Sequence, residues 1–206
     1  MSDGRFRRKH LRLAPLAALA ALSLPAVSLG GAGTAQAAGV PGYGTWQADV
    51  QQAVAPAIPW LRDHATASAA SGSSATSGSS GKGKPAIVLD IDNTALETYY
   101  HEGRANKPVL DVAQWAHAHH IAVLFVTART SSSSARQQLR DAGYPVDALC
   151  TREHGEDKGD GKARCREDLT EDGYRITANI GNRSTDFEGG FYEKGFKLPD
   201  YGGRLS

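Results

Sequence analysis

Pro85-Ala-Ile-Val-Leu-Asp-Ile-Asp-Asn-Thr-Ala95 is the stretch on which the fold turns. Ile87, Val88, Leu89 and Ile91 form the near-continuous branched run of a strand buried on both faces, as a parallel sheet covered by helices requires. Residues i and i+2 share one side of an extended chain, so Asp90 and Asp92 project together at the strand's C-terminal end, where open α/β sheets bind ligands. Two carboxylates held so close repel each other, and a bound divalent cation or a proton kept on one of them relieves the repulsion. The stretch therefore reads as a metal and phosphate site.

Downstream, strand and helix alternate. The first strand covers 86–91, a helix 109–119, a second strand 121–127 and a helix 133–142 closed by Gly143. A third strand follows at 146–150, a helix at 162–172 closed by Gly173, and a fourth strand at 175–180. This order predicts an α/β fold, a three-layer Rossmann-like parallel sheet with helices on both faces. Each later strand end carries useful chemistry. Thr127, Ala128 and Arg129 offer a hydroxyl and backbone N–H groups where a helix begins, which suits a phosphate oxygen and makes them candidate substrate-binding residues. Lys162 opens the next helix, with Arg166 one turn on, and can reach back toward Asp90; Lys158 is the less favoured loop alternative. Asn182 and Asp186, after the fourth strand, are candidate magnesium ligands beside Asp90 and Asp92, or holders of the ion's waters.

Upstream, Arg5, Arg7, Arg8, Lys9 and Arg12 precede the Ala/Leu-rich stretch Leu13–Leu29, and Ala35-Gln36-Ala37 supplies small residues for cleavage. Residues 1–37 are thus predicted to be a secretory signal peptide. The apolar stretch is broken by Pro15 and Pro25 and falls short of the ~20 residues of a span, so no membrane anchor is expected after cleavage. Removing 1–37 takes away five basic residues and one acidic one, leaving 18 Lys+Arg against 21 Asp+Glu, a net charge of −3. That balance argues against a nucleic-acid scaffold and for a small soluble substrate. Residues 38–64 carry Trp46, Val50, Val54, Ile58 and Leu61 at helical spacing, interrupted by Pro56 and Pro59, and are expected to pack on the main domain. Residues 65–84 have a flexible Ser/Gly/Ala linker composition, and 85–206 form the main domain. His117, His119 and His120 read as a favourable helix C-terminus rather than a metal site. Two states are open to Cys150 and Cys165, a disulfide or two buried thiols, and export favours the disulfide.

Four elements in order, Val88-Leu-Asp-Ile-Asp-Asn-Thr-Ala95, Phe125-Val-Thr-Ala-Arg129, Lys162 to Arg166 leading into Gly173-Tyr-Arg-Ile176, and Asn179-Ile-Gly-Asn-Arg-Ser-Thr-Asp186, resemble the haloacid dehalogenase (HAD) superfamily. The resemblance is to its secreted acid phosphatase branch, subfamily IIIB, which includes the plant vegetative storage proteins. Gly195-Phe-Lys-Leu-Pro199 and the upstream Trp46, Asp49 and Val50 look similar too. The resemblance implies a secreted, Mg2+-dependent hydrolase of small-molecule phosphate monoesters. In that reading Asp90 is the nucleophile that forms an aspartyl-phosphate, Asp92 the proton carrier that also offers its backbone carbonyl to the metal, and Lys162 the cation that aligns with the family lysine.

Two departures from the family pattern stand out. Asn182 takes a position where most relatives have a metal-binding Asp, which predicts weaker magnesium binding, since hard cations favour charged oxygens. The short connection after Thr94 leaves room for only a minimal cap, so an open entrance lined by Tyr99, Tyr100 and His101 is expected. The other reading is a catalytically weak or inactive secreted binding or storage protein. A metal-dependent sugar transferase, which also uses Asp-x-Asp, would leave Lys162 and the Asn182/Asp186 element without a role.

Overall fold

A computed structural model describes residues 39–64 and 83–205. The expected signal peptide, 1–37, and the expected linker up to residue 82 lie outside the described residues; the first strand already takes up Lys84. Two short helices come first, α1 (Tyr43–Val54) and α2 (Ala57–His64). Pro56 separates them, because its ring and missing N–H prevent one continuous helix. Trp46, Val50, Val54, Ala57 and Leu61 are buried, so the helical stripe does face the main core.

The main domain runs β1 (Lys84–Leu89), α3 (Lys107–Ala118), β2 (Ala122–Thr127), α4 (Ser132–Asp141), β3 (Ala148–Thr151), α5 (Lys158–Glu171), β4 (Tyr174–Gly181), a 3-10 turn (Ser184–Asp186) and β5 (Lys194–Lys197). All strand pairs are parallel and the order is β3-β2-β1-β4-β5. The sheet is thus an α/β sheet with β1 at its centre and a switch in winding direction between β1 and β4, the place where such sheets bind ligands.

Alternation along the strands divides the core in two. Ile87, Leu89, Val123, Phe125 and Ile180 face α1 to α4 in the larger cluster. Ala86, Val88, Leu124 and Val126 face Cys165 and Leu169 of α5 in the smaller one. No described helix is long and apolar enough to cross a membrane.

Several boundaries differ from the sequence reading, the first strand being Lys84–Leu89 rather than 86–91. The third strand is Ala148–Thr151 rather than 146–150, and β5 is an additional edge strand. The helix expected from Lys162 starts at Lys158, capped by Asp157, whose carboxylate accepts from the Gly159 N–H at 2.7 Å. The glycines at 159 and 161 read as loop residues, yet the cap offsets their low helix propensity. Lys162 is therefore one turn inside the helix, buried, instead of opening it.

Cys150 and Cys165 form a disulfide between the end of β3 and α5. Cys165 and Leu169 are the large apolar or sulfur side chains that α5 buries, so the bond supplies much of this helix's attachment. Closing a loop of 15 residues contributes about 3 kcal/mol. Urea unfolding with and without reductant should differ by about that amount; coincident curves would mean the helix docks without the bond.

Candidate active site

Asp90 follows β1 directly and is buried. Its Oδ1 accepts from Lys162 Nζ at 2.7 Å and its Oδ2 from Thr94 Oγ1 at 3.1 Å. The same ammonium donates to Asp186, so one lysine bridges two buried carboxylates. Burial drives the Asp90 carboxyl above its ordinary range, the Asp186 charge adds to this, and Lys162 opposes it. Burial pulls the Lys162 ammonium down, but the facing carboxylates outweigh it and leave its pKa raised.

Asp186 is held by its own backbone and by its neighbours. Its Oδ2 accepts from the Arg183 N–H at 2.8 Å, and its carbonyl from Asn179 Nδ2 at 2.7 Å and Arg166 Nη1 at 2.9 Å. Arg166 is fully buried and also donates to the carbonyls of Gly190 and Glu188, closing the loop after β4 onto α5. It does not reach toward the aspartates at the strand ends. Gly181 is required here, since a Cβ would lie 2.3 Å from Asp186 Oδ2.

Asp92 sits two residues beyond Asp90, half-exposed, and is gripped by Arg129. Arg129 Nε donates to Oδ2 at 2.9 Å and Nη2 to Oδ1 at 2.5 Å, while Thr98 Oγ1 donates to Oδ1 at 2.9 Å. Partial burial works against the charged carboxylate, yet the Arg129 and Thr98 hydrogen bonds hold its pKa below the usual range. The Arg129 guanidinium is thus directed onto Asp92 and Gln138. Thr127 is buried at the end of β2, its Oγ1 accepting from the Arg129 N–H at 3.2 Å.

A pocket of about 300 Å3 opens between these strand ends. Of the predicted site residues it is lined by Asp90, Asp92, Ala128, Lys162 and Asn182, while Thr127, Arg129 and Asp186 are next to or bonded to these residues. Asn182 is buried, with Oδ1 3.5 Å from Thr94 Oγ1 and Nδ2 without a partner among the described residues. A half-turn of this amide exchanges its oxygen and nitrogen, so it can offer either end to a ligand. Asp90 and Asn182 supply hard oxygen donors that fit Mg2+, although no group of three or more His, Cys, Asp or Glu positioned for a metal occurs among the described residues.

The expected aromatic entrance is built differently. Tyr100 stacks on Trp46 with ring centroids 4.8 Å apart and donates to the Pro41 carbonyl, and His101 is paired with Glu97. These rings gain more from joining the core than from lining a wet opening. The rim instead includes Thr98, Lys158, Arg183 and Leu205. Leu205 carried no signal in the sequence, because only the return of the chain after β5 brings it here.

No curated protein matches the chain. The family described as HAD superfamily, subfamily IIIB (Acid phosphatase), matches residues 100–204, a span that includes Thr127, Lys162, Asn182 and Asp186 and starts downstream of the two aspartates that follow β1. With that match over half of the sequence and a parallel sheet whose strand ends converge on one pocket, the chain belongs to subfamily IIIB of the HAD superfamily, the acid phosphatases.

Proposed function

We propose that this protein is an exported, Mg2+-dependent phosphatase that hydrolyses small phosphate monoesters through an aspartyl-phosphate on Asp90. The observation that carries the reading is the convergence of Asp90, Asp92, Lys162 and Asn182 on one pocket at the β1/β4 switch. A phosphate monoester is a dianion and Asp90 an anion, so their approach needs positive charge. Lys162 supplies it from within hydrogen-bond reach of Asp90. Thr127 Oγ1 accepts from a backbone N–H, which leaves its own proton to donate to a phosphate oxygen.

An Asp90 carboxylate oxygen forms a bond to phosphorus as the ester oxygen departs with a proton from Asp92. In the second step Asp92 takes a proton from water, whose oxygen attacks the phosphorus and returns Asp90 as carboxylate with release of inorganic phosphate. Asp90, Asn182 Oδ1 and the Asp92 backbone carbonyl, with Asp186 close by, would hold Mg2+, whose charge would help neutralise the phosphate. The Cys150–Cys165 disulfide and the basic-then-apolar N-terminus support export.

Phosphate release from phenyl phosphate should depend on Mg2+ and disappear in EDTA. No turnover across pH and metals would favour a second reading, a binding or storage protein, for which the neutral Asn182 among the proposed ligands is the argument. Arg129→Met tests the proton carrier. Freed of the cation that holds its pKa down, Asp92 titrates higher. The alkaline limb of kcat/KM, which requires protonated Asp92, should then move to higher pH; an unmoved limb would take Asp92 out of that role.

A further inference from the structure

We infer that the segment Asp200–Leu205 is a built wall of the active-site pocket and limits the bulk of the leaving group, with Leu205 as a specificity-determining residue. The inference rests on the phosphatase reading and deepens it. The sequence suggested a site with almost no cover, but three ties carry the chain from Leu198 to Leu205 across the C-terminal edge of the sheet. Leu198 N–H donates to the Gly181 carbonyl at 2.8 Å, Arg183 Nη1 to the Gly203 carbonyl at 2.7 Å, and Asn93 Nδ2 to the Leu205 carbonyl at 2.6 Å. The path therefore runs from the end of β5, past the loop after β4, to the loop after β1. Tyr201 adds a fourth anchor on α1 through a 2.7 Å bond to Asp49.

Asn93 is the positioning residue of this arrangement. It is buried, adopts a left-handed φ of 53°, and uses both ends of its amide: Nδ2 on Leu205 and Oδ1 on the Tyr99 N–H at 2.7 Å. Asparagine tolerates that conformation better than most residues. One side chain next to Asp92 thus ties the loop after β1 to the segment and to the Thr98 rim. Tyr201, Gly202 and Gly203 also have positive φ, and this tight turn brings Leu205 back over the sheet. Leu205 is 1% exposed, joins the larger core cluster and lines the pocket. It is a packed wall and not a loose end.

At about 300 Å3 the pocket is at the small end of ligand sites. Phosphate takes up part of that space, so a bulky leaving group meets the segment. The test compares phenyl phosphate with a phosphotyrosine heptapeptide in wild type, Leu205→Ala and Leu205→Met. The expected result is a rise of about tenfold in the peptide-to-phenyl ratio of kcat/KM for Leu205→Ala, with Leu205→Met retaining the wild-type ratio. An unchanged ratio, including an equal loss on both substrates, overturns the inference while leaving the phosphatase reading intact. Should Leu205→Ala fail to fold, Arg183→Ala, which cuts the tie to Gly203, must raise the ratio in its place. Wild type inactive on both esters would defeat the phosphatase reading instead. The wall is then judged by calorimetric binding of phenylphosphonate and the matching phosphonate peptide, where an unchanged ratio of Kd values again overturns it.

Discussion

Asp90→Asn is expected to lower phosphate release by about 10^4-fold or more while leaving the fold intact. The amide is isosteric but cannot displace an ester oxygen, and loss of a covalent nucleophile has costs of this size. The stability of the variant separates this from misfolding. Burial raises the Asp90 pKa in the folded protein, so between the unfolded and folded values the folded state binds more protons than the unfolded one. Stability attributable to this group therefore falls as pH rises from about 4 into the neutral range. Asparagine does not titrate, so in EDTA the variant should melt at least as high as wild type at pH 8, with the advantage shrinking toward pH 4. Retained turnover would remove Asp90 from the nucleophile's role, and a collapsed melting transition would show that the carboxylate is structural.

Lys162→Met should reduce both activity and stability. Lys162, Asp90 and Asp186 are nearly inaccessible, with side-chain exposures of 4%, 6% and 2%. Deleting the one cation between two such carboxylates leaves uncompensated buried charge, a loss of about 3–5 kcal/mol. For a domain of this size that lowers Tm by on the order of 10 °C at pH 8 in EDTA. Two conditions should restore part of the loss. Lowering the pH to 5 protonates a carboxylate, and millimolar Mg2+ stabilises the folded state if it binds the vacated charge. A variant that melts with wild type at pH 8 would show that the three groups are not coupled in solution. Mg2+ rescue without recovered turnover would separate the lysine's electrostatic task from its part in the reaction.

Much of the site was legible because it is written in short local patterns. The branched run from Ile87 to Ile91 admits a strand buried on both faces, and period-two alternation places Asp90 and Asp92 together at its end. Thr127 and Asn182 follow the same logic, since each lies at or just past the end of a strand in a parallel sheet. The start of α5 was misplaced because Gly159 and Gly161 lower helix propensity locally, whereas the Asp157 cap and the disulfide act through geometry and distant contacts. Arg129 was read for its backbone N–H, and the partner of its guanidinium was not legible for the same reason. Its charge is visible in sequence, but its target depends on a carboxylate 37 positions away that it meets only when β1 and β2 pair.

By itself, then, the sequence determined the parallel α/β sheet, the order of its chemical elements and the pair of aspartates at its centre, because residue periodicity and strand-end position are properties of neighbouring residues. Only the tertiary structure decided which charges neutralise one another and what closes the pocket. Lys162 bridging Asp90 and Asp186, Arg129 holding Asp92, and Leu205 reaching Asn93 are contacts across 72, 24, 37 and 112 positions. Such pairings are set by the packing of the whole sheet and by the burial of charge, which forces each polar group to find a partner wherever the fold brings one within reach.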